Sequence, residues 1–282
     1  MTITYRRSGE RIRSLFVSDV HLGCPHSRAA ELCHLLDCYW ADRVYLVGDF
    51  IDGWKLRRSW RWNADCSGVL QRLLELRRGG TELCYAPGNH DTFLRSFLGD
   101  LGVVRLADRF IHVSPGGCRY LVVHGDQYDW IESHAAWLSA FSSHFYDGLL
   151  TANRWINRVR RNADRPYALC RVLKVRVKAL VKHFSQFERE LQESARAAGC
   201  DGVICGHIHQ PKIERVDEMI YCNVGDWVEN CSAIVEHENG ELEVVYYDGT
   251  AGDRLADPGR RRPTPLVPEP DAAAATSTAK VA

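Results

Sequence analysis

Histidine, aspartate and asparagine gather at five short places in this chain: Asp19-x-His21, Gly48-Asp49, Gly88-Asn89-His90-Asp91, His124-Gly125-Asp126 and Gly206-His207-x-His209. Each alone says little, since a lone His-x-His pair serves packing more often than chemistry and Gly-Asp is common. Their residue types agree, however. Carboxylate, imidazole and amide oxygen without cysteine suit a hard-to-borderline divalent cation such as Mn²⁺, Fe²⁺ or Zn²⁺. The donors suffice for two ions, and Asp49 is the natural bridge because one carboxylate carries two oxygens.

Each cluster follows an apolar run. "SLFVSDVH", "RVYLVGD", "TELCYAPGNHD", "YLVVHGD" and "DGVICGHIHQP" read as buried strands. Between the early strands, residues 27–41 and 66–80 have helical apolar spacing. Alternation of this kind predicts an α/β sheet with parallel pairs. In such a sheet ligands sit beyond the carboxyl ends of strands, so the five clusters can converge on one crevice. Side chains two apart on an extended segment point the same way, which lets Asp19 and His21 aim together, as His207 and His209 do. "MIYCNVGDWVEN", "CSAIVEHENG" and "ELEVVYYDG" add strands, the last two joined as a hairpin through Asn239-Gly240.

The rest of the chain differs. Residues 127–198 carry helical patterning throughout, with Leu169, Leu173, Leu180, Phe184, Phe187 and Leu191 on one apolar face. Residues 151–182 place ten Lys and Arg against the single acid Asp164, and Arg171, Lys174, Lys178 and Lys182 fall on one stripe. We expect a metal-binding domain over 1–250, a helical cap insertion over about 127–198, and a disordered tail over 251–282, which is rich in Pro, Ala and Thr. Lys+Arg and Asp+Glu both number 36, so net charge names no partner. Eleven cysteines lie within apolar runs as small hydrophobes, which fits a reducing, cytoplasmic setting. The N-terminal apolar run, "LFV", is too short for a signal peptide or a membrane span.

"SDVHLG", "VGDFID", "GNHD", "VVHGD" and "GHIH", in this order from about Leu15 to about Tyr247, resemble the calcineurin-like metallophosphoesterases. The resemblance implies a double β-sandwich flanked by helices, with a two-metal site at the strand ends. It implies Asp19, His21 and His209 on the first ion, Asn89, His124 and His207 on the second, and Asp49 between them. Within that family the helical insertion after "HGD", the "GDFIDGW" segment and the "GHIHQP" ending are most similar to the UDP-2,3-diacylglucosamine pyrophosphatases of lipid A synthesis. One departure stands out: those enzymes carry arginine after the "GN" asparagine, where this chain has His90, as phosphodiesterases do.

The expected chemistry is hydrolysis of a phosphodiester or diphosphate by a metal-activated water. His90 is the expected helper, stabilising the equatorial oxygens or protonating the leaving group. Asp91 and Asp126 are expected to orient ligand histidines through their other ring nitrogen. Arg57, Arg58, Arg61 and Trp54, in "GWKLRRSWRWN", are candidate phosphate and base contacts, with Arg158 and Arg161 in the basic insertion. A plain reading makes the first of these segments a basic surface loop. The basic amphipathic face of the insertion suits anionic lipid headgroups, and so peripheral contact at an inner membrane. The expected substrate is lipid-linked; a soluble nucleotide or cyclic phosphodiester is the alternative. A third reading, a nucleic-acid-binding module with a degenerate metal site, is opposed by the intact ligand set.

Overall fold

The computed structural model of the chain describes residues 9–128 and 186–247. The insertion expected over 127–198 lies outside them except at its ends, and the tail over 251–282 lies outside them entirely. Twelve strands fall among the described residues: β1 (Glu10–Val17), β2 (Tyr39–Val47), β3 (Glu82–Ala86), β4 (Gly99–Asp100), β5 (Arg105–Leu106), β6 (Phe110–Val113), β7 (Arg119–Val122), β8 (Gly202–Cys205), β9 (Lys212–Val216), β10 (Met219–Asn223), β11 (Ser232–Glu236) and β12 (Leu242–Tyr246). They form a seven-stranded sheet in the order β12-β11-β1-β2-β3-β5-β4 and a five-stranded sheet in the order β6-β7-β8-β10-β9. The expected parallel pairs are present: β1 with β2, β2 with β3, β7 with β8 and β8 with β10.

Period-two alternation splits every central strand between two cores. Phe16, Tyr45, Val47 and Cys84 of the larger sheet face Tyr120, Val122, Ile204, Ile220 and Cys222 of the smaller one. Their neighbours turn outward. Leu15, Val44, Leu46, Leu83 and Val235 meet helices α1 (Ala29–Cys38) and α3 (Ala64–Arg78) through Leu32, Leu36, Val69 and Leu73. On the other side Leu121, Val203 and Tyr221 meet Phe187, Leu191 and Ala195 of a helix described over 186–197. The result is a helix–sheet–sheet–helix sandwich. Phe187 and Leu191, placed by sequence on one apolar face, are both fully buried there.

The boundaries shift from the sequence expectations in two ways. The first helix stops at Cys38, and Tyr39–Ala41 already belong to β2. The segment read as a surface loop after Asp49 begins as helix α2 (Gly53–Arg58), because the Asp52 carboxylate accepts the Lys55 amide at 2.9 Å and caps its first turn. The Asn239-Gly240 hairpin joins β11 and β12 as expected, Gly240 donating to the His237 carbonyl.

Candidate metal centre

Six strands end at one place. Past β1 come Asp19 and His21, past β2 Asp49, past β3 Asn89 and His90, past β7 His124, past β8 His207 and His209, and past β10 Asp226. Backbone bonds stitch the loops to one another: Asp19 N–H to Gly48, His21 to Asp49, Gly206 to His124, and Trp227 to Asp19. Gly206 packs so closely on Ser18 and Asp19 that a Cβ there would collide with their side chains. Seven non-glycine residues among those described have positive φ, and five are Asp19, His21, Asp49, His207 and His209, with values from 50° to 70°. Such backbone costs on the order of 1–3 kcal/mol per residue and persists where the surrounding structure imposes it. Here it coincides with the residues that sequence singled out as ligands.

Four of the five imidazoles are held from behind. His124 Nδ1 lies 2.9 Å from the Val47 carbonyl, an acceptor that holds a proton on Nδ1 and turns Nε2 towards the centre. His90 Nδ1 is 3.2 Å and His21 Nδ1 3.7 Å from Asp52, while His209 Nδ1 is 4.0 Å from Asp226. The Nε2 of each of these four then faces a central carboxylate. His209 Nε2 is 3.1 Å from Asp19 Oδ1, and His21 Nε2 is 3.9 Å from both Asp19 and Asp49. His124 and His90 place Nε2 at 3.5 and 3.9 Å from Asp49 Oδ2, so that single oxygen faces three imidazoles. Asn89 Oδ1 is 3.2 Å from His124 Nε2. The His207 ring meets His124 edge-on, centroids 5.2 Å apart, and its amide donates to Asp19.

The electrostatics favour added positive charge. Burial alone would raise both carboxyls, yet His124 draws Asp49 down to about 2, and His209 with His124 draws Asp19 far below the ordinary carboxylate range. Burial opposes a charged His209, but the Asp19 carboxylate lifts it to about 9. Three groups of donor atoms close enough to share an ion emerge: Asp19, His21 and His209; His21, Asp49 and His90; and Asp19, Asp49 and His124. Inward ring nitrogens, buried carboxylates and strained ligand backbones together fit divalent cations, which would replace the protons on those nitrogens.

Two expectations need correction. Asp91 spends its oxygens on other groups: it accepts the Phe50 amide at 2.8 Å, the Gly88 amide at 2.6 Å and the Tyr85 hydroxyl, locking the Asp49 loop to the Asn89 loop. Asp126 instead takes a two-pronged bond from Arg95 at 2.9 and 2.8 Å. Backing the imidazoles falls to Asp52, Asp226 and the Val47 carbonyl. The sequence held a signal for Asp226, since "IYCNVGD" is one more apolar run ending in Gly-Asp. Trp54 stacks on His90, centroids 4.1 Å apart, while Arg57, Arg58 and Arg61 are exposed beside it. Arg158 and Arg161 lie outside the described residues.

A two-sheet sandwich with carboxylates and imidazoles at its strand ends defines the class of proteins that carry a divalent-metal centre there. Residues 12–211 match the family model for calcineurin-like phosphoesterases, and the chain belongs to that family: it is a phosphoester hydrolase dependent on divalent metal ions. No curated protein sequence matches it. Among solved structures it is similar to an archaeal phosphodiesterase, at 13% identity and a TM-score of 0.38, over 83% of this chain and 98% of that one. It is also similar to Yfce, a phosphoesterase from E. coli, at 13% identity and a TM-score of 0.39, over 83% and 99%. Among the described residues no helix is long and apolar enough to cross a membrane.

Proposed function

We propose that the chain hydrolyses the diphosphate of a lipid-linked nucleotide of the UDP-2,3-diacylglucosamine kind, with two divalent ions of which Mn²⁺ is the first choice. An apolar rim beside the metal centre carries this reading. Trp54 over His90 is 42% exposed, and Phe93, which packs against Gly53, is 49% exposed. Phe97, Leu98, Leu101 and Val103 continue the exposed series along the chain. Grouped exposed apolar side chains mark a surface that binds something apolar. Acyl chains on this rim would leave the phosphates at the strand ends. Arg57 and Arg58 follow Trp54 by three and four residues on α2, have no partner among the described residues, and suit bidentate contact with phosphate. The same rim would let the protein rest on an anionic inner-membrane surface.

Asp19, His21 and His209 would hold one ion, Asn89, His124 and His207 the other, and Asp49 both. Bound there, the cations neutralise phosphate oxygens and acidify a water. His90 supplies the proton chemistry of the chain itself. Asp52 accepts a hydrogen bond from His90 Nδ1–H and so stabilises the imidazolium, whose Nε2 proton is the one that passes to the leaving oxygen. His90 also favours the second reading, a phosphodiesterase for soluble nucleotides or cyclic diesters, because it stands where the related pyrophosphatases carry arginine.

The test is turnover of Mn²⁺-loaded protein on a diacylated nucleotide diphosphate sugar, on nucleotide diphosphates and on an aryl phosphodiester. Replacing Phe93 and Phe97 together by serine should raise KM for the diacylated substrate roughly tenfold or more, the value of one or two buried phenyl rings. The aryl diester should be hydrolysed as before. An unchanged KM for the diacylated substrate would hand the site to the second reading.

A further inference from the structure

The larger sheet overhangs the smaller one. β6 is the last strand of the five-stranded sheet, while β3 and β5 continue the seven-stranded sheet beyond it. Tyr45, Cys84 and Arg105 lie side by side on the inner face through the registers Tyr45↔Cys84 and Cys84↔Arg105. They floor a cavity of about 390 Å³ whose other lining includes Arg43, Arg109 and Phe110. Arg43 and Asp49 are six residues apart along β2 and its loop, roughly 20 Å at the strand rise, so this space is separate from the metal centre.

Its charge is unbalanced. Glu82 is the one carboxylate engaged there, bonded to Arg43 at 2.7 Å and to Arg105 at 2.6 Å. Arg109 lines the same space and has no partner among the described residues. Three guanidinium groups against one carboxylate leave a surplus of two positive charges in a concavity. The arginines lean on an aromatic wall: Phe110 lies 5.9 Å beneath the Arg105 guanidinium, and Tyr45 OH accepts from Arg43 at 3.2 Å. The cavity is within the range that holds small phosphorylated molecules.

We propose that this cavity is a second anion site that takes a phosphomonoester, the kind of product that hydrolysis of a diester or a diphosphate releases. A phosphomonoester carries close to two negative charges at neutral pH, equal to the surplus. The planar forks of Arg105 and Arg109 match its oxygens.

Calorimetric titration of the metal-loaded full chain with phenyl phosphate tests this. Two saturable events are expected, one abolished by excess chelator and one insensitive to it. Arg109→Glu should weaken the chelator-insensitive event roughly tenfold or more, the value of one charge-assisted donor, and Arg109→Lys should weaken it less. Hydrolysis of an aryl phosphodiester by Arg109→Glu should match wild type. A single event that chelation abolishes, or a chelator-insensitive event that Arg109→Glu leaves unchanged, overturns the proposal.

Discussion

Four of the five imidazoles of the metal centre, those of His21, His90, His124 and His209, turn Nε2 inward, and the groups behind Nδ1 determine what each substitution does. Asp49 faces His21, His90 and His124 through one oxygen while its other oxygen accepts the His90 amide at 2.8 Å. Asp49→Ala should therefore lose both ions together, whereas His209→Ala should weaken mainly one. Metal analysis after dialysis distinguishes them, and two retained ions in Asp49→Ala would end the bridging assignment. His90→Ala should keep its metal and lose roughly 10²–10⁴-fold in kcat. If an ion leaves with the activity, His90 is a ligand, as its place beside His21 and Asp49 also permits. Asp52 touches both His21 and His90, and Asp52→Asn should lower metal affinity roughly 10–100-fold. Titration with Mn²⁺ reads this directly, and an affinity equal to wild type would leave Asp52 as a helix cap only.

At the scale of elements, strands and helices with a clear apolar period were legible: β1, β2, β3, β7, β8, β10, β11, β12, α1 and α3 are all present, with the boundary between α1 and β2 moved to Cys38 and Tyr39. Short or weakly apolar strands were not. Gly99–Asp100 and Arg105–Leu106 are held by pairing with each other and with β3, which no local pattern records. The five ligand segments were legible because glycine and polar residues interrupt buried runs. Asp52 was not, since its part depends on the turn that α2 makes back towards His21 and His90. The hairpin of β11 and β12 carries its own pH dependence. His237 Nε2 lies 2.9 Å from Glu243, and that carboxylate raises the imidazole above its ordinary value. The pair thus stabilises the fold fully below about pH 6.5, and the contribution fades as pH rises through the raised value. His237→Ala should lower Tm in mildly acidic buffer and barely change it in alkaline buffer, by an amount below about 1 kcal/mol for so exposed a pair. Equal losses in both buffers would mean that packing, not charge, is what His237 supplies.

For the whole molecule, two sheets bury one shared core and deliver six loops to one edge, so metal binding is linked to folding. Metal should raise Tm and chelator should lower it, since ions bound only by the folded chain stabilise it by mass action. A Tm indifferent to chelation would mean that the ions are held too weakly to matter. The pairing of β1 with β11, Ser14 opposite Glu236, has a further consequence in time. The donors run from Asp19 to His209, and the first strand finds one of its two neighbours only near the end of the chain. During synthesis, a ribosome must therefore release nearly the entire domain before the first motif is enclosed. Long-range pairing of this kind is slow to form. Cations then meet a finished site rather than a nucleus, and their effect should fall on the rate of unfolding and leave the refolding rate unchanged.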